Sequence, residues 1–354
     1  MPDKKPNIGI IGAGFISQVA HIPHYAGNQN CNLLAIAELR PNLRKAVAQR
    51  WNIERQYENH TQLLEDPDID GVVIVVRRHH TGPLSYDALN AKKNIFTEKP
   101  FVQTAEKANS IVQIAAENNL IHSVGFMRRY DSGVIKAKEY IDRFRNSNEL
   151  GKMLSARFYL SAGGDYCNIG GEIKSDEPKP MEQIWPIAPD FIPEEYSLSY
   201  EHFVNVAGHD INLIRYLLGD NIEIRHAVYK PGTGSVATMD TGKNFVTFEW
   251  ADTLQPTRWE EGCEFRYEKG FLKLKLHPAF LRNQPSEVQV YIDQGREGGE
   301  YIQPCPDWSW AFENEDNEFI NCLIANKNTI SSAADSINDF KLIDGIWRSI
   351  LETI

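Results

Sequence analysis

Three groups of residues have the types and spacing that chemistry requires. The first is Gly12-Ala13-Gly14-Phe15-Ile16-Ser17, a G-x-G-x-x-S run directly after the apolar stretch Asn7–Ile11. Gly12 suits a tight turn, and Gly14 lets backbone approach a pyrophosphate with no Cβ in the way. A helix opening at Phe15 and Ile16 aims its N-terminal dipole at the phosphates. Ser17 stands where a third glycine is usual and is small enough for close helix–strand packing. Alone, such a run also fits an ordinary strand-to-helix turn. Glu38, 21 residues beyond Ser17 at the end of the next apolar stretch, makes it a nucleotide signature. A carboxylate there accepts the adenosine ribose hydroxyls and repels a 2′-phosphate, which favours NAD over NADP. Arg40, two residues on, could stack on adenine or pair with a phosphate instead.

The second group is Glu98-Lys99-Pro100, after the apolar run Asn94–Thr97. Proline keeps a helix from starting at once and restrains Lys99 toward an extended conformation. That holds the lysine at the C-terminal edge of a sheet, where open α/β folds place ligands. A catalytic lysine is the expectation, against a surface lysine in a turn. The third group is Asn205 and His209, four residues apart and so on one helix face. A lone histidine at a helix start is more often structural than catalytic. Asparagine can orient a hydroxyl or an imidazole but cannot take a proton, which leaves acid–base work to Lys99 and His209. Asp210 is expected to face away.

Arg77-Arg78-His79-His80 follows the run Gly71–Val76. Arg77 and Arg78 either touch cofactor or substrate or form a solvated basic loop. His79-His80 and the pair His21/His24 are imaginable metal ligands. No carboxylate or cysteine accompanies them at ligand spacing in the sequence, so no metal is expected.

The elements that must position these groups are legible in outline. Asn7–Ile11, Leu33–Ala37, Gly71–Val76, Asn94–Thr97 and Ile121–Val124 read as buried strands. Helical patterns at Leu43–Trp51, Leu84–Ala91 and Ala105–Asn118 alternate with them, which predicts a doubly wound parallel sheet. Beyond it come a helix at Ser132–Arg145, a strand at Lys152–Leu160 and a long Gly- and Pro-rich loop at Gly163–Pro193. Val204–Leu218 is helical. Ile222–Tyr229, Phe245–Trp250, Cys263–Tyr267, Phe271–Leu276 and Val288–Ile292 read as strands of a half-solvated antiparallel sheet. Helices at Trp310–Ala325 and Ala333–Leu351 close the chain. The expected domains are therefore 1–130, α/β, and 131–354, α+β.

Composition bounds the function. The chain has 354 residues, 42% of them apolar, enough for two domains with real cores. Its net charge of −11 disfavours nucleic acid as a partner. The longest apolar runs are far short of the ~20 residues that span a bilayer. Five scattered cysteines with no C-x-x-C pair argue against a disulfide framework or a zinc site. A cytoplasmic enzyme, with no membrane partner, is the resulting expectation.

The chain resembles the glucose–fructose oxidoreductase / inositol dehydrogenase / MocA family over nearly its whole length. The motifs that carry the likeness are the glycine run, Glu98-Lys99-Pro100, Val124-Gly125-Phe126-Met127-Arg128-Arg129-Tyr130-Asp131 and Gly208-His209-Asp210-Ile211-Asn212-Leu213. The resemblance implies an N-terminal Rossmann domain and a C-terminal α+β domain with a large, mostly antiparallel open sheet. It implies NAD or, less expectedly, NADP, and a homodimer or homotetramer formed through that second sheet. Lys99 inherits the role of positioning the substrate hydroxyl and tuning proton transfer. The family's helix carries an aspartate four residues before the histidine, and here that position is Asn205. Asn212 likewise stands where an acidic residue is common. Gly12, Gly14, Phe15, Ile16, Glu38, Arg40, Arg77, Arg78, Glu98 and Lys99 are the expected cofactor contacts. Lys99, Arg128, Tyr166, Trp185, Asn205 and His209 are the expected substrate contacts. Tyr166 and Trp185 fall in the long loop, where aromatic plates would suit a sugar ring. The implied activity is NAD-dependent oxidation of a secondary hydroxyl of a sugar, glycoside or cyclitol, or the reverse. Two other readings stay open: a redox-neutral glycosidase or lyase that passes through a keto-sugar, and a catalytically silent sugar sensor.

Overall fold

The computed structural model of the protein describes residues 5–162, 169–178, 185–252 and 259–354. They form two compact units that are not contiguous in sequence. The first comprises Met1–Phe126, Ile169–Glu201 and Phe312–Ile337; the second comprises Met127–Asn168, His202–Ala311 and Asn338–Ile354. The division at Phe126/Met127 lies near the boundary expected at 130, but two later segments fold back into the first unit.

In the first unit, β1 (Asn7–Ile11), β2 (Asn32–Ala37), β3 (Arg55–Tyr57), β4 (Gly71–Ile74), β5 (Asn94–Glu98) and β6 (His122–Gly125) pair in parallel. Their order is β3-β2-β1-β4-β5-β6, so the chain reverses direction across the sheet between β1 and β4. That is the switch point where such sheets bind ligands outside the carboxyl ends of the strands. Ile8, Ile10, Ile36, Val73 and Phe96 are buried because a parallel sheet is covered on both faces. The connecting helices are α1 (Ile22–Gly27), α2 (Pro41–Trp51), α3 (His60–Leu64), α4 (Arg78–Asn90) and α5 (Ala105–Glu117). Thr104 caps α5 by accepting from the Lys107 N–H. The three-residue β3 escaped the sequence pattern, and β4 stops two residues short of the expected strand.

The second unit begins with α6 (Ser132–Ser147) and β7 (Met153–Ala162). Helix α7 (Ser197–Val206) ends within it, and α8 (Gly208–Leu218) follows. Its strands are β8 (Glu223–Lys230), β9 (Gly234–Asp240), β10 (Phe245–Asp252), β11 (Trp259–Tyr267), β12 (Gly270–Leu276), β13 (Glu287–Asp293) and β14 (Gly299–Ile302). The sheet order is β14-β13-β12-β11-β7-β10-β9-β8, antiparallel except where β7 meets β10. Sequence alternation missed β9 and β14. In β12, Leu272, Leu274 and Leu276 point inward while Lys273 and Lys275 stay in solvent, as the alternation predicts. Phe203 packs edge-on against Phe248, Trp250 and Trp347 to form the centre of this core.

Helix α9 (Ala311–Ala325) contributes Phe319, Ile320 and Cys322 to the core of the first unit. Helix α10 (Ala333–Leu351) has the bounds that its apolar spacing predicts.

Candidate cofactor and catalytic site

The glycine turn is built as its sequence requires. Gly12 sits at φ +97°, and a Cβ there would meet the Val75 carbonyl oxygen at 2.3 Å, so only glycine fits. Its N–H donates to the Ala37 carbonyl at 2.8 Å, which ties the ends of β1 and β2 together. A Cβ on Gly14 would meet nothing within 4 Å, leaving open space where the motif calls for a pyrophosphate. The backbone turns helical at Phe15 and Ile16, with the Gln18 N–H bonded to Gly14 O at 3.0 Å. The expected helix departs from α geometry over Ser17–His21, a π-helical turn closed by the Ile22 N–H on Ser17 O. Ser17 Oγ donates to Gly12 O at 2.7 Å and so packs beneath the turn.

Glu38 is buried at the end of β2. Its Oε2 accepts from the Ala13 N–H at 2.8 Å, and its two oxygens take Nε and Nη2 of Arg40 at 2.8 and 3.0 Å. Burial pushes the carboxyl up, but these donors outweigh it and hold the group below its ordinary value. Segment 169–178 of the long loop lies against this unit. Gln18 exchanges hydrogen bonds with the Ile173 backbone, and Glu177 accepts the Asn42 and Leu43 N–H groups at the start of α2.

Lys99 directly follows β5, at the same carboxyl edge of the sheet as Gly12. It is part-buried, and loss of water is the main cause that brings its ammonium down to about 8, with Glu98 opposing and Arg78 assisting. Glu98 accepts from the Lys99 N–H at 3.0 Å and faces His21 Nε2 at 3.1 Å. Arg77 is exposed. Arg78 and His79 both bond to the buried carboxylate of Glu201.

In the second unit, α7 and α8 are joined through Ala207, itself in helical conformation. Its N–H reaches Phe203 O at 2.8 Å and its carbonyl accepts from the Ile211 N–H at 2.9 Å. The single helix expected over Val204–Leu218 is thus two with a slight break, and Asn205 and His209 are both part-exposed. Asn212 is buried and structural: it accepts from Arg129 Nε at 2.7 Å and donates to Asp339 at 2.8 Å.

Several expected site residues have other partners. Arg128 is buried, pairs with both oxygens of Glu261 and donates to the His277 carbonyl at 2.8 Å, so its guanidinium is engaged inside its own unit. Trp185 packs over Gly82 and edge-on to Tyr86, with Lys107 Nζ 5.4 Å from its ring centroid; it anchors its segment on α4 and α5. Tyr166 lies outside the described residues. Asp210, expected to face away from the site, is buried.

His21 and His24, for which the sequence offers no carboxylate at ligand spacing, do have acidic partners, which the fold brings from far along the chain. His21 Nδ1 stands 2.8 Å from Asp316, Nε2 faces Glu98, and His24 Nδ1 is 3.0 Å from the other Asp316 oxygen. Burial would depress His21, but Asp316 and Glu98 hold it well above its ordinary value. The available signal was Glu315-Asp316, two acids on the Phe312–Phe319–Ile320 apolar stripe of α9. Among the described residues no helix is long and apolar enough to cross a membrane.

The features of the first unit, a six-stranded parallel sheet with a phosphate-type glycine turn at its switch point, define a dinucleotide-binding domain. Residues 6–126 match the model of the Gfo/Idh/MocA oxidoreductase family, an NAD-binding Rossmann fold. It is 28% identical over 222 residues to the levoglucosan dehydrogenase of Pseudarthrobacter phenanthrenivorans, covering 60% of this chain and 51% of that one. It is 25% identical over 216 residues to the myo-inositol 2-dehydrogenase of Thermotoga maritima, covering 61% and 56%. The match thus spans about half the length of these curated relatives. A solved levoglucosan dehydrogenase, in complex with NADH and levoglucosan, superimposes with a TM-score of 0.78 at 19% identity over 99% of this chain and 98% of that one. That likeness extends the shared fold to both units.

Proposed function

We propose that the protein is an NAD-dependent dehydrogenase acting on a secondary hydroxyl of a sugar, glycoside or cyclitol. The observation that carries this reading is the pairing, at one carboxyl edge of the sheet, of the open glycine turn with a lysine held near neutral pKa. The relatives' names, levoglucosan and myo-inositol dehydrogenase, support the substrate class. NAD, when bound, supplies the hydride acceptor at its nicotinamide.

The chain's own residues do the rest. Gly12 and Gly14 admit the pyrophosphate, the first turn at Phe15 and Ile16 offers it N–H groups, and Glu38 takes the adenosine ribose. Lys99 and His209 hold and move the proton of the substrate hydroxyl, and Asn205 orients it. The exposed outer residues Phe245 and Tyr301 of the second sheet suit a homo-oligomer contact.

The test is substrate-dependent NADH formation across cyclitols, anhydrosugars and glycosides. Formation that is lost in Lys99→Ala, with NAD binding retained, supports the reading. Aglycone release with no net NADH marks the redox-neutral lyase instead. Sugar binding with no turnover marks the sensor.

A further inference from the structure

Helix α9 turns two carboxyls toward the core of the first unit at positions where its apolar stripe calls for aliphatic side chains. Glu315 is 1% exposed, and neither of its carboxyl oxygens has a hydrogen-bond partner among the described residues. A buried carboxyl without a partner is costly and calls for a proton or a ligand to complete it. One ligand atom each from His21, Glu98 and Glu315 lies within 4.8 Å of the others. Donors sharing one cation at about 2.0–2.2 Å stand somewhat closer than that, within reach of a small side-chain adjustment.

The surroundings favour a cation. Asp316 stands 2.8 Å from His21 Nδ1, so Nε2 is the ring nitrogen that faces Glu98, at 3.1 Å, and a bound cation would displace the proton that the two share there. A carboxylate behind an imidazole in this way is the usual outer support of a metal-bound histidine. Asp316 is itself fixed by His24 on its second oxygen at 3.0 Å. The Glu98 side chain is 15% exposed, which leaves an entry route on one side.

We propose that His21, Glu98 and Glu315 form a site for a divalent first-row transition cation, with Asp316 as the positioning residue for His21. One imidazole and two carboxylates suit Zn(II), Co(II) or Mn(II), whereas Ca(II) and Mg(II) prefer all-oxygen shells. The ion would clamp three segments of one unit: the π-helical turn, the end of β5 and α9. The proposal does not depend on the substrate reading, because its readouts are binding and spectroscopy.

The experiment takes the full chain, dialysed against a chelator, and titrates it with Zn(II) by calorimetry and with Co(II) by visible absorption. The expected result is one ion per chain with a Kd below about 10 µM, and a Co(II) ligand-field spectrum distinct from the aqueous ion. Glu315→Gln, nearly isosteric and checked for folding by circular dichroism, should weaken binding at least about tenfold. His277→Asn removes a second imidazole–carboxylate pair, His277–Glu287, and should leave binding unchanged. A wild-type chain that takes up no ion, or whose Co(II) spectrum matches the aqueous ion, overturns the proposal. So does a Glu315→Gln chain that binds as tightly as wild type.

Discussion

Arg40 lies along Glu38, with its Nε 2.8 Å from Oε1 and its Nη2 3.0 Å from Oε2, so the residue that could invite a 2′-phosphate is held by the one that repels it. The donors around Glu38 keep it anionic at neutral pH. NAD should therefore bind at least about tenfold tighter than NADP, roughly 1.4 kcal/mol. Glu38→Ala removes the charge and releases Arg40, and should close most of that gap. Calorimetry with both cofactors checks it. Equal affinities in the wild type would mean that Arg40 leaves Glu38 for the phosphate.

Lys99→Ala and His209→Ala should each lower turnover by about 10²-fold or more, the usual scale of lost proton-transfer help. Both side chains are part-exposed, so neither change should lower the melting temperature appreciably. Turnover and thermal melting measured on the same preparations separate the roles. A His209→Ala enzyme with full turnover and a lower Tm would return His209 to a structural part.

The glycine turn and the placement of Lys99 directly after a strand were legible because the physics behind them is local. A tight turn needs Gly12 at positive φ, and a proline after Lys99 shapes one dipeptide. Strands β1, β2, β4, β5 and β6 were legible because burial on both faces leaves an apolar run. β3 is three residues long, and β9, Gly-Ser-Val-Ala-Thr-Met-Asp, has too little β-branched character to stand out. The partition of the chain was only half visible, since Ile169–Glu201 and Phe312–Ile337 join the first unit through long-range packing. The fate of Arg128 was hidden for the same reason: its partner Glu261 is 133 residues away. His21, Glu98 and Glu315 left one trace, an acidic pair on an apolar stripe.

Asn205 is expected to orient the substrate hydroxyl or the His209 ring, and Asn205→Ala should cost about 1–3 kcal/mol in kcat/KM. Asn205→Asp keeps the volume and adds a carboxylate on the face it shares with His209. A neighbouring anion favours the imidazolium, so the acid limb of the pH–rate profile should move to higher pH. Superimposable profiles for wild type and Asn205→Asp would mean that the two residues do not act together.

Asp210 is buried beside the Arg128–Glu261 pair and close to Cys263, and neither of its carboxyl oxygens has a hydrogen-bond partner among the described residues. Burial, with Glu261 adding to it and Arg128 opposing, raises its pKa well above the ordinary 3.8. A carboxyl raised on folding binds its proton more tightly in the native than in the unfolded chain. Its contribution to stability is therefore complete below 3.8 and is lost as pH rises through the folded value. Asp210→Asn removes that dependence while keeping shape. The variant should melt about 2–4 °C above wild type at neutral pH, and the difference should shrink as pH falls toward 4. Melting curves of both proteins between roughly pH 4 and 8 test this. A difference that stays constant across the range would mean that Asp210 does not titrate in the folded protein as its burial requires.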